Sequence, residues 1–187
     1  MPLRTQHISS TNKQEVYIST DDYSSIMFTN THATDAVTID LYIVDQTGEY
    51  IDVDIGVGVT VNNSSGYDSV KGTSIQVAVD DGSGGASGAT TDLMHSEKVY
   101  NANGDFIGVC TNATSTLLTF LLGLYKRLNN NDVLAVGRRF HILNNMVIPN
   151  GASLQLERSD LSFDNNNYKM YINSSDANGN IDIITSI

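Results

Sequence analysis

The stretch Val37-Thr38-Ile39-Asp40-Leu41-Tyr42-Ile43-Val44-Asp45 decides the fold class. Apolar and polar residues alternate along it, and a period of two marks a β-strand whose successive side chains point to opposite faces. Val37, Ile39, Leu41 and Ile43 fall on one face, the face such a strand buries. The rhythm returns in Ile51–Ile55, Val57–Val61, Ile75–Val79 and Ser153–Glu157, and more briefly in Lys169–Ile172 and Ile181–Ile184. Turn clusters separate these runs: Asn62–Gly66, Asn101–Asp105, Pro149–Gly151 and Asp176–Gly179. Asn and Gly tolerate positive φ at low cost, so Asn-Gly suits tight turns. Lys98–Tyr100 and Phe106–Cys110, flanking Asn103-Gly104, predict a hairpin. Many short strands spaced by turns predict an all-β sandwich of jelly-roll or immunoglobulin-like type.

One segment supports two readings. Leu117, Leu121, Leu124, Tyr125 and Leu128 sit at helical spacing, yet Thr114–Phe120 also reads as a strand. Gly123 weakens a helix by about 1 kcal/mol relative to Ala. The expectation is a strand to about Leu121, then a helical turn from about Leu124 to Asn130, so at most one short helix. Asp80–Gly88 is the low-complexity stretch and reads as a flexible loop. Residues 1–53 and 139–187 share one strand-and-turn style and are expected to form the sandwich scaffold. Residues 54–138 are expected to form a small β-rich module inserted into it.

Composition excludes several classes. The 187 residues carry 10 Lys+Arg against 21 Asp+Glu, a formal net charge of −11. That balance argues against nonspecific nucleic-acid binding, which draws affinity from basic residues on phosphates. With 40% hydrophobic residues the chain is globular, and a chain of this length buries roughly two-thirds of its unfolded surface. The single cysteine, Cys110, forms no internal disulfide and no thiolate zinc site; it reads as a small buried hydrophobe. No apolar run approaches the roughly 20 residues of a membrane-spanning helix, and Met1–His7 lacks the apolar core of a secretory signal. No membrane association is therefore expected, and the sequons at Asn62, Asn63, Asn112 and Asn173 carry little weight.

Motifs for chemistry are incomplete. Asp176, Asn178, Asn180 and Asp182 have the alternate spacing of a calcium loop. The glycine stands at the fourth position rather than the sixth, and Ile187 occupies the place of the closing glutamate, so a polar hairpin loop is expected. Asp52 and Asp54 share a strand face but lack a third group for acid–base work. His7, His32, His95 and His141 show no metalloprotease spacing, and Gly82–Gly88 lacks the ending of a phosphate-binding loop. No catalytic residue, metal or cofactor is expected. Charge is more informative. Gln14–Val70 contains no Lys or Arg, whereas basic pairs stand later at Lys126-Arg127 and Arg138-Arg139. Separated charge of this kind sets the register of subunit contacts, which makes Lys126, Arg127, Arg138 and Arg139 the candidate contact residues of a homo-oligomer.

Several segments together resemble the small β-sandwich virion proteins of tailed phages, especially marine and cyanobacterial ones. They are Val16–Ile18, Ile26–Thr31 with Thr29-Asn30 at a corner, Val37–Val44, Phe140–Leu154 with its Ile-Pro-Asn-Gly-Ala-Ser-Leu turn, and Tyr168–Ile172 with Ile181–Ile184. Lys98–Cys110 and Asn129–Val136 resemble a module of such proteins. The resemblance implies a non-enzymatic structural subunit located in the virion, a capsid accessory or decoration protein contacting other virion proteins. The alternatives are a neck, tail or fibre-attachment subunit, or a carbohydrate-binding β-sandwich of a tail fibre. The absence of Trp weighs against the last, because sugar sites favour exposed aromatics.

Overall fold

The computed structural model describes residues 3–11, 13–18, 23–47, 53–61, 74–80, 97–113, 117–123, 128–161, 163–176 and 178–186. The strands run β1 (Leu3–Ile8), β2 (Gln14–Glu15), β3 (Ser25–Asn30), β4 (Val37–Asp45), β5 (Val53–Val61), β6 (Ser74–Asp80) and β7 (Lys98–Asn101). They continue with β8 (Phe106–Ala113), β9 (Leu117–Leu122), β10 (Val133–Gly137), β11 (Arg139–Ile148), β12 (Ser153–Glu157), β13 (Tyr168–Ser174) and β14 (Ile181–Ser186). A 3-10 turn, Arg158–Leu161, is the helical element among the described residues. The fold is all-β, with antiparallel pairing and a sandwich-like arrangement of sheets.

The chain divides into two compact units, 1–44 with 139–187, and 45–138. In the first, a sheet of order β1-β14-β3-β12 and a sheet of order β11-β4-β13-β2 enclose one core. Alternation supplies that core. Ile26 and Phe28 of β3, Ile181 and Ile183 of β14 and Ile8 of β1 meet Val37, Ile39 and Leu41 of β4 and Met170 and Ile172 of β13. Ile43 packs partly buried against the same cluster. Tyr23 closes one end, its hydroxyl donating to the Leu161 carbonyl at 2.6 Å.

The corners are held by side chains bonded to backbone. Asn30, buried at the end of β3, donates through Nδ2 to the carbonyls of Asp35 (2.9 Å) and Ile148 (2.8 Å). Its Oδ1 accepts from the His32 amide at 2.8 Å. The Pro149-Asn150-Gly151 turn joins β11 to β12, with Gly151 at φ +69° and the Gly151 amide donating to the Asn30 carbonyl at 3.2 Å. The Thr-Asn corner and the Pro-Asn-Gly turn are thus one hydrogen-bonded junction. Gly179, at φ +82°, packs so closely on the Ile8 backbone that no Cβ fits there.

The second unit is a closed barrel of order β10-β5-β6-β9-β8-β7. Its β7–β8 hairpin turns at Asn103-Gly104 with Gly104 at φ +82°. Two expectations change here. Val53–Val61 is one strand, not two. The described part of the expected helical turn, 128–130, is not helical. There the Asn129 amide donates to Asp132 Oδ2 at 2.8 Å, a local bond that competes with helix; residues 124–127 lie outside the described residues.

The first junction falls between Val44 and Asp45, earlier than the expected 53/54. Val44 still pairs with Arg139 across β4 and β11. Asp45 and Gln46 bond to residues of the second unit. The Asp45 amide donates to the Arg138 carbonyl at 3.3 Å, and Lys98 Nζ donates to the Gln46 carbonyl at 2.7 Å.

Candidate interaction surface

On the β11-β4-β13-β2 sheet, the face opposite the core carries a row of cations and aromatic rings. Leu41 and Ile172 point into the core, so Tyr42 and Tyr171 take the other face by alternation. Their rings lie 6.2 Å apart. The Lys13 ammonium stands 4.5 Å from the Tyr171 centroid and the Arg139 guanidinium 4.7 Å from that of Tyr42. His141, opposite Tyr42 in register, adds a third ring at 5.4 Å. The Tyr42 hydroxyl donates to Asn173 Oδ1 at 3.2 Å. Both tyrosines and Lys13 are buried. A desolvated cation over a ring face stabilises by up to about 2 kcal/mol, so this row braces β11, β4 and β13 crosswise, with Lys13 reaching in from just before β2.

The row claims one of the four candidate contact residues. Arg139 is half-buried over Tyr42, whereas its neighbour Arg138 is exposed. Lys126 and Arg127 lie outside the described residues.

The titratable groups singled out in the sequence are scattered. His7 Nδ1 lies 2.7 Å from Asp182 Oδ1, an exposed cross-strand pair on β1 and β14. His32 Nδ1 accepts from the amides of Thr34 (3.2 Å) and Asp35 (2.9 Å), which makes it a turn cap. Asp176 accepts from the Asn178 amide at 3.0 Å and from the Asn180 side chain. These bonds, the backbone one foremost, hold its carboxyl below the usual aspartate range. The spacing that resembles a calcium loop is thus spent on an internal turn. Burial pushes the Tyr100 hydroxyl up, with Asp45 adding to the effect, and burial also raises Tyr23 against the opposing pull of Arg158. Cys110 is buried, its thiol 3.5 Å from the Asn112 carbonyl. Among the described residues no three His, Cys, Asp or Glu side chains converge as metal ligands. Asp52 and His95 lie outside the described residues.

Sequence reasoning missed the edge strand β11. Phe140 (44% exposed), Met146 (37%) and Val147 (55%) present apolar side chains there. Phe140 meets Tyr168 edge-on at 6.1 Å. Two register breaks against β4 and a left-handed Asn145 (φ +53°) bend the strand, and the Asn145 amide donates to Asp40 Oδ1 at 2.6 Å. The available signal was Asn144-Asn145-Met146-Val147, where two apolar residues follow each other outside any alternation.

No family model, curated protein or solved structure matches this chain. No helix among the described residues is long and apolar enough to cross a membrane.

Proposed function

We propose that the chain is a non-enzymatic structural subunit of a tailed-phage virion, acting as a capsid accessory or decoration protein. The observation that carries this reading is the β11 edge. A sheet edge exposes unpaired backbone N–H and C=O groups, and here it also exposes Phe140, Met146 and Val147, close in sequence to the cationic Arg138. Apolar side chains with a charged neighbour are the composition of a subunit contact, where burial supplies affinity and charge sets the register. The sequence resemblance points the same way, and corners held by side-chain-to-backbone bonds suit a rigid piece of an assembly. The partners are other virion proteins and further copies of this chain.

Quantitative mass spectrometry of purified particles tests the reading. Copies on the scale of the capsid lattice are expected. A copy number matching one ring of subunits moves the protein to the neck or tail, and absence from washed particles refutes the proposal.

A further inference from the structure

We infer that β1 accepts an extended segment of another protein as an added strand, with a Glu and an aliphatic residue at successive positions of that segment. β1 ends its sheet, whose order is β1-β14-β3-β12. Leu3, Arg4, Thr5 and His7 are exposed, Leu3 at 64%. The strand pairs with β14 in unbroken register from Leu3 opposite Ser186 to Ile8 opposite Ile181. Edge strands are ordinarily blunted by bulges or Pro. β11 has two register breaks, whereas β1 has none and keeps the regular spacing that a further strand needs.

A cavity opens on each side of this edge. Alternation turns Arg4 and Gln6 the same way as the buried Ile8, and Thr5 and His7 the other way. The first cavity, about 420 Å³, is lined by Arg4, Thr185 and Tyr17. The second, about 340 Å³, is lined by His7, Asp182 and Ile184. Thr5 and Gln6 border both, so the two cavities meet at the middle of β1. Strand addition draws affinity from main-chain hydrogen bonds and specificity from pockets that take alternate side chains. Successive side chains of a strand laid beside β1 point to opposite faces, one toward each cavity. Gln6 prepares the site: its Nε2 donates to the Glu15 carbonyl at 2.7 Å, and its Oε1 accepts from the Tyr17 amide at 3.3 Å. The edge and the Tyr17 wall are thereby tied together before a partner arrives, which lowers the ordering cost of binding.

The lining selects the side chains. In the first cavity Tyr17, 64% exposed, offers an apolar ring and Arg4 a guanidinium. A Glu side chain matches both, with methylenes for the ring and a carboxylate for the guanidinium fork. In the second, His7 and Asp182 already satisfy each other at 2.7 Å, which leaves Ile184 for an aliphatic side chain. A second copy of this chain is the poorer occupant. Leu3–Ile8 contains no Asp or Glu, and antiparallel self-pairing centred on the strand sets Arg4 opposite His7.

The test titrates the full chain, followed by amide NMR, with the acetylated and amidated peptide Thr-Glu-Val-Glu-Val-Thr. Shifts should concentrate on the amides of Leu3–Ile8, with nuclear Overhauser contacts between the two backbones. The same peptide with Lys for Glu should bind about tenfold or more weakly, and Arg4→Glu, a change at an exposed side chain, should reverse that preference. A copy with N-methylated central amides keeps every side chain and loses the ladder, and it should not bind. If Arg4→Glu fails to fold, Arg4→Ala replaces it, and the preference for Glu over Lys should vanish there. No binding, shifts away from β1, equal binding of the N-methylated peptide, or an unchanged preference in a folded variant overturns the assignment. Shifts of the β1 amides on dilution of the chain alone would give the edge to a second copy and overturn it as well.

Discussion

The side-chain amide of Asn30 donates to the carbonyl of Ile148 at 2.8 Å, joining the end of β3 to the end of β11 inside the sandwich. With its bonds to Asp35 and His32, Asn30 satisfies three backbone groups from a buried position. Removing it leaves buried partners unpaired, each costing about 1–3 kcal/mol. Asn30→Ala should therefore destabilise the protein by about 3 kcal/mol in urea unfolding. Asn30→Asp keeps the acceptor and loses both donors, and should also be destabilising. A loss under 1 kcal/mol for Asn30→Ala would show that water replaces the side chain.

Two glycines separate backbone strain from collision. Gly151 has φ +69° and open space where a methyl group would sit, so Gly151→Ala should cost only the left-handed penalty of about 1–2 kcal/mol. Gly179 has φ +82° and would drive its Cβ into the Ile8 carbonyl, so Gly179→Ala should cost clearly more. Equal melting temperatures for the two variants would contradict the close approach at Ile8.

The neighbouring arginines should behave differently. Arg139→Glu places an anion against the negative face of the Tyr42 ring and should lower stability by about 2 kcal/mol. Arg138→Glu, on an exposed side chain, should cost less stability than Arg139→Glu. It should still weaken assembly onto the particle, most strongly at low salt where charges are least screened. Normal assembly of Arg138→Glu at low salt removes Arg138 from the contact.

Asp176 should shape the acid limb of stability. Its carboxyl is held below the ordinary aspartate range in the folded chain, so its contribution is present above that range and lost as pH falls through the depressed value. Asp176→Asn removes that proton linkage. Melting temperatures from neutral to strongly acidic pH should fall less steeply in the variant. Parallel curves would mean that Asp176 titrates alike in folded and unfolded chains.

Val44 and Arg139 are register partners, and all of 45–138 lies between them in the chain. Replacing 45–138 by a short Gly-Ser turn should leave a folded sandwich, since closing a loop depends only weakly on its length. Circular dichroism and limited proteolysis report the outcome, and a chain that stays unfolded shows that the sandwich depends on the insert.

Strand β4 was legible because one apolar face persists from Val37 to Ile43. The Asn-Gly turns were legible because positive φ leaves a residue signature, visible at Gly104, Gly151 and Gly179. The role of Tyr42 was not. Alternation assigns it to the outward face and cannot say that the face is covered by Lys13, Arg139 and Tyr171, which come from distant parts of the chain. The barrel closure was hidden for the same reason: it depends on β10 pairing with both β5 and β7, a relation that local periodicity does not encode. The apolar β11 edge escaped because its bulges break the period by which strands are read.

The place of β14 sets an order of events during synthesis. It lies between β1 and β3, yet the ribosome makes it after the entire barrel. Until β14 emerges, β1 has no partner in its sheet and β3 lacks one neighbour. The barrel strands are contiguous in the chain, so that unit can complete itself first, as units generally do during translation. The sandwich must then wait half-built, with apolar Ile26 and Phe28 in search of cover. A nascent chain stalled before Ile181 is therefore the form of this protein most exposed to chaperone capture and misassembly.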